Sequence, residues 1–67
     1  MRITVNEELR EVPEDCDLAT VLDEVGLDSS DGWAVAVNEE VVPAEGWGNR
    51  KLTRDDSVLL VRATQGG

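Results

Sequence analysis

A chain of 67 residues makes one domain, near the lower size at which a hydrophobic core holds a fold without disulfides or metals. It has no histidine and one cysteine, so the commonest metal ligand and neutral-pH acid–base group is missing and no internal disulfide can form. A net charge of −9 argues against nucleic acid and anionic membranes as partners.

A single cysteine fits a reducing compartment. No basic and apolar leader follows Met1, and no apolar run approaches membrane length. Neither a signal peptide nor a transmembrane segment is expected, and the expected location is the cytoplasm. The charge is uneven. Residues 1–45 hold thirteen acids and two bases, whereas residues 46–67 hold two acids and four bases. The plain reading is a solvated acidic surface that keeps a small protein soluble.

In Arg2-Ile3-Thr4-Val5-Asn6 polar and apolar residues alternate, which puts Ile3 and Val5 on one face of a strand. Asn6-Glu7-Glu8 breaks it, and residues 9–12 return as a second strand, giving a hairpin that Pro13 stops. Asp17 is a candidate helix N-cap. Leu18, Val21, Leu22 and Val25 then form one apolar stripe, and Gly26 is the expected left-handed stop. Thr20 stands where a capping box takes Glu or Gln.

Residues 28–32 read as a loop and 33–37 as a third strand, with Val35 and Val37 on one face and Ala34 and Ala36 on the other. Asn38-Glu39-Glu40 turns into Val41-Val42, and Pro43 ends that piece. Residues 44–48 read as an irregular loop anchored by Trp47, 51–53 as a short edge strand, 54–56 as a turn and 58–63 as the last strand. No internal repeat, low-complexity tract or linker appears. One helix covers one face of the resulting sheet. Its stripe is expected to pack on Ile3, Val5, Val35, Val37, Val58 and Leu60. The open face would then carry Ala34, Ala36, Leu59 and Val61, a grouping that reads as a partner surface rather than as scattered exposure.

The chain ends in Thr64-Gln65-Gly66-Gly67. A strand therefore launches a flexible tail whose tip is the narrowest peptide available. Fully extended, residues 64–67 reach about 13 Å, enough to carry a carboxylate into a pocket of another protein. The expected organisation is a folded domain over 1–63 and a C-terminal tail over 64–67.

With the terminal Gly66-Gly67, the run Ala34-Val35-Ala36-Val37-Asn38-Glu39-Glu40-Val41-Val42-Pro43, Trp47 nearby and the acidic turn Asp55-Asp56, the whole chain resembles the ThiS family of sulfur carriers. Two positions depart from that pattern: Thr64 and Gln65 where apolar residues are common, and Asp56 where the turn usually has Gly. The resemblance implies an α+β fold, a ubiquitin-like β-grasp with a mixed sheet on a single helix. It implies a carrier and not an enzyme, with no catalytic or metal-ligating side chain and no bound cofactor. ATP would be used by a ThiF-type adenylating enzyme, which activates the Gly67 carboxylate. A thiocarboxylate would follow, consumed by a ThiG-type thiazole synthase in thiamin biosynthesis.

In this reading Gly67 carries sulfur, and Gly66, Gln65 and Thr64 form the activation tail. Leu59, Val61, Ala36, Ala34 and Arg62 form the partner surface. Arg50, Lys51 and Arg54 are further cations for an acidic rim. The chain alone is expected to be a monomer. The alternatives are a MoaD-type carrier for molybdopterin, a carrier for a specialised metabolite, or a non-covalent acidic ubiquitin-like adaptor. Cys16 reads as a small apolar residue dulled by Asp15 and Asp17, not as a sulfur relay.

Overall fold

Two tight turns of the same composition build the sheet. Val-Asn-Glu-Glu occurs at 5–8 and again at 37–40, a recurrence shorter than any structural repeat. Val5 pairs across with Glu8 and Val37 with Glu40, so each loop is two residues long. Asn6 and Glu7 have φ of 51° and 72°, and Asn38 and Glu39 have 52° and 72°. Positive φ at both central positions matches the right-handed twist of the flanking strands. Asn tolerates that region well; Glu does so at some cost.

The computed structural model describes residues 1–27 and 32–62. The expected loop at 28–32, apart from Gly32, lies outside the described residues, as do Ala63 and the tail at 64–67. Strands β1 (Arg2–Val5) and β2 (Glu8–Glu11) form the first hairpin, and β3 (Trp33–Val37) and β4 (Glu40–Val41) the second. Strand β5 (Ser57–Arg62) lies between them in the order β2-β1-β5-β3-β4. It runs parallel to β1 and antiparallel to β3. The mixed sheet carries the single helix α1 (Leu18–Glu24) on one face, the expected α+β arrangement.

The ends of α1 are set locally. Asp17 accepts from the Thr20 N–H at 2.9 Å, and the Thr20 hydroxyl donates to the same carboxylate oxygen at 2.7 Å. Thr20 thus completes the cap in a different way from Glu or Gln. At the other end Gly26 has φ of 90°; its N–H donates to the Asp23 carbonyl, and that of Leu27 to the Leu22 carbonyl. That pair of bonds is a Schellman stop.

The helix buries Leu18, Val21 and Leu22 against Ile3, Val5, Val35, Val37 and Val58, with Leu60 half-buried beside them. The expected strand register is therefore correct. Val12, Cys16 and Leu52 join the same core. No helix among the described residues is long and apolar enough to cross a membrane.

Two expectations fail. Residues 51–53 do not form an edge strand. Only Lys51 bridges, to Asp17, while the Leu52 N–H donates to the Cys16 carbonyl and the Leu18 N–H to the Arg50 carbonyl. The segment's backbone is spent on the lead-in to α1, and the sheet already has its edges in β2 and β4. The stretch expected as an irregular loop is a 3₁₀ helix, Ala44–Asn49, following extended Pro43. Within it, Trp47 donates its indole N–H to the Val42 carbonyl at 2.8 Å and packs half-buried on the core, an anchor as expected.

The turn before β5 is built on Asp56, a buried carboxylate. It accepts from the Thr53 N–H at 2.8 Å, the Asn38 amide at 2.9 Å and the Thr53 hydroxyl at 3.1 Å. Burial alone would raise its pKa. The bonds from Thr53 and Asn38, with the nearby Arg50 charge, outweigh burial and hold it below its ordinary 3.8. A depressed pKa stabilises the fold above that ordinary value, and the contribution is lost as pH falls below it. The urea midpoint of the wild type should therefore drop from pH 6 through the carboxylate range. Asp56→Asn should be less stable at pH 6 and fall more shallowly. Parallel pH profiles for the two proteins would contradict the assignment.

Candidate functional site

Alternation along a strand sends Leu59 and Val61 to the side opposite Val58 and Leu60. The register places Ala34 across from Val61 and Ala36 across from Leu59. These four residues therefore meet on the helix-free face, as expected. Leu59 is 42% exposed and Val61 51%; Ala34 is exposed and Ala36 half-buried.

The patch is larger than those four. Val41 pairs with Ala36, so it stands on the same face, 69% exposed. Leu9 is equally exposed and pairs with Thr4, which in turn pairs with Ser57. Leu9 thus belongs to a polar row beside the patch, at whose outer corner Arg2 and Glu11 form an ion pair at 3.3 Å. Val41 was legible in principle, because a two-residue turn at Asn38-Glu39 fixes its partner. Counting Glu40 as part of the turn hid it.

Arg62 does not join this face. It pairs with Trp33, and its guanidinium stacks over the Trp33 ring at 5.4 Å. By the same alternation both side chains stand on the helix-bearing side. The other cations lie elsewhere. Arg50 and Lys51 sit beside the start of α1, with Lys51 reaching the Asp15 carbonyl at 3.4 Å, and Arg54 lies in the turn before β5.

Strand β5 is clamped by the two turn asparagines, a feature absent from the sequence reading. Asn38 Oδ1 accepts from the Ser57 N–H at 2.9 Å. Asn6 Oδ1 accepts from the Leu60 N–H at 2.8 Å. The only signal for it was the repeated Val-Asn-Glu-Glu. Thr64, Gln65, Gly66 and Gly67 lie outside the described residues, beyond the end of β5 at Arg62.

Cys16 is buried. Burial pushes its thiol pKa up, and the Glu24 and Asp17 charges push it further, against an opposing Lys51. In space Glu24 takes the part expected of Asp15, and Lys51 is a basic neighbour that the flanking sequence did not reveal. A thiol so raised is a poor nucleophile at neutral pH. Among the described residues no pocket opens on the surface, and no three His, Cys, Asp or Glu side chains are grouped to hold a metal.

The ThiS family model matches residues 2–67. The chain is also similar to solved structures. A crystal structure of a thiamine biosynthesis protein (ThiS) from Geobacter metallireducens superposes with a TM-score of 0.86 at 23% identity, covering all of both chains. The NMR solution structure of a thiamine biosynthesis protein from the same organism gives 0.76 at 23% identity, over all of this chain and 88% of that one. At that identity the likeness shows the β-grasp fold. Among curated proteins none matches the chain.

Proposed function

The chain belongs to the ThiS family, whose members are small sulfur carriers rather than enzymes, and from that membership we propose that it carries sulfur on Gly67 for thiamine biosynthesis. The observation that carries this reading is the extent of the family match, which runs through Gly66 and Gly67. The placement of β5 supports it, because that strand leads from the centre of the sheet towards these residues.

A C-terminal carboxylate is ionised at neutral pH and is a poor electrophile. In the proposed cycle a ThiF-type enzyme binds the chain and ATP. The Gly67 carboxylate attacks the α-phosphorus, pyrophosphate leaves, and an acyl-adenylate forms. A sulfur nucleophile then displaces AMP and leaves a thiocarboxylate, which a ThiG-type thiazole synthase consumes. The chain supplies the end group, the reach of 64–67 and a docking surface made of Leu59, Val61, Ala34, Ala36 and Val41. Gly66 and Gly67 suit the task because a residue without Cβ passes a tight channel and adopts backbone angles closed to others.

The test is intact mass after incubation with ATP, sulfide and a ThiF-type enzyme. The expected product gains the mass of one sulfur in place of one oxygen, located in the C-terminal peptide. An unchanged C-terminal peptide under conditions where the enzyme thiocarboxylates its own carrier would overturn the reading.

A further inference from the structure

We propose that Asn6 is a positioning residue for the C-terminal half of β5, and hence for the tail that carries the reacting carboxylate; the inference rests on the carrier reading above. Strand β1 pairs with β5 at Thr4–Ser57 and Val5–Val58. The backbone ladder runs from the Thr4 N–H to the Asp56 carbonyl at 3.0 Å and from the Asn6 N–H to the Val58 carbonyl at 2.9 Å. At Asn6 the chain turns away, with φ of 51°. The next inward N–H of β5, that of Leu60, therefore loses its backbone acceptor on β1. The Asn6 carboxamide takes that place at 2.8 Å, joining positions 54 apart in sequence.

The placement matters because Leu60 stands between Leu59 and Val61, the two apolar side chains that β5 gives to the open face, and two residues before β5 ends. On its other flank this stretch is held by β3, through Val35–Leu60 to Trp33–Arg62. Among the described residues Asn6 is the hold on the β1 flank. One residue must both accept a left-handed turn conformation and present a carbonyl-type oxygen, and Asn does both.

Asn38 provides the internal control. It makes the equivalent bond at Ser57, the far end of β5, and its amide also supports buried Asp56. Its loss should fall on stability. The loss of Asn6, which is exposed, should fall on the tail.

The test uses the full chain with a ThiF-type enzyme in ATP–pyrophosphate exchange, alongside amide hydrogen exchange. Asn6→Gly keeps the turn and removes the acceptor. Its kcat should fall roughly fivefold, the worth of one hydrogen bond expressed in the barrier, while KM stays within about twofold and the Leu60 amide loses protection. Asn6→Asp, which keeps an oxygen acceptor, should restore both. Asn38→Gly should melt lower than Asn6→Gly yet keep a kcat near wild type. Wild-type kcat with a protected Leu60 amide in Asn6→Gly overturns the inference, as does an equal kcat loss in Asn38→Gly. If the wild type itself shows no pyrophosphate exchange, the carrier reading falls. The Leu60 amide then decides: lost protection in Asn6→Gly supports the clamp, and retained protection overturns it.

Discussion

Leu59→Glu is expected to weaken binding to a ThiF-type enzyme about 100-fold while moving the melting temperature by less than about 5 °C. Leu59 sits in a row with Ala36 and Val41, and its side chain already meets water in the free protein. Replacing it changes little that folding depends on. Docking is different. The variant loses the burial of a leucine, about 1.5–3 kcal/mol, and forces a carboxylate into an apolar contact without a partner. Either term alone approaches the ~2.7 kcal/mol that corresponds to 100-fold.

The neighbouring residue makes the comparison sharp. Val58 is fully buried under α1, so Val58→Glu should abolish folding, and only the alternation of the strand separates the two outcomes. Binding is checked by calorimetry and folding by thermal melts. Wild-type affinity in a folded Leu59→Glu would remove the open face from the docking surface.

The open face was legible because it rests on the most robust sequence signal. Once Trp33–Val37 and Ser57–Arg62 are read as strands, the period of two leaves no freedom about which side chains share a face. The ends of α1 were legible for a similar reason, since Asp17 and Gly26 act within one turn of themselves. What escaped depends on side chains that bond to distant backbone. The carboxamides of Asn6 and Asn38 reach β5, and Asp56 reaches back to Thr53 and Asn38. No periodicity reports such bonds. Lys51 and Leu52 failed as a strand because strand propensity says nothing about whether a sheet edge is available. Arg62 was grouped with its sequence neighbours, whereas a period of two puts it on the opposite side, against Trp33.

The largest effect is expected at Gly66, in the C-terminal tail proposed to enter the activating enzyme. Gly66 lies four positions beyond Arg62, the last residue of β5, and every residue of the described core precedes it. Gly66→Val should therefore melt at the wild-type temperature and bind the activating enzyme with unchanged affinity, since docking is proposed to run through Leu59, Val61 and Val41. Its ATP–pyrophosphate exchange should nevertheless fall at least about 100-fold. Valine adds a branched Cβ, which stiffens the backbone and closes the positive-φ region. It also widens the chain next to the carboxylate proposed to react, where a misplacement of about 1 Å costs on the order of 100-fold in rate. Gly66→Ala, which adds the Cβ without the branch, should lie between the two. The signature is a loss in kcat with KM preserved, the reverse of what Leu59→Glu should show. Wild-type exchange rates in Gly66→Val would mean that the tail does not thread a channel shaped for glycine, and a non-covalent adaptor role would then account better for the acidic body and the apolar face.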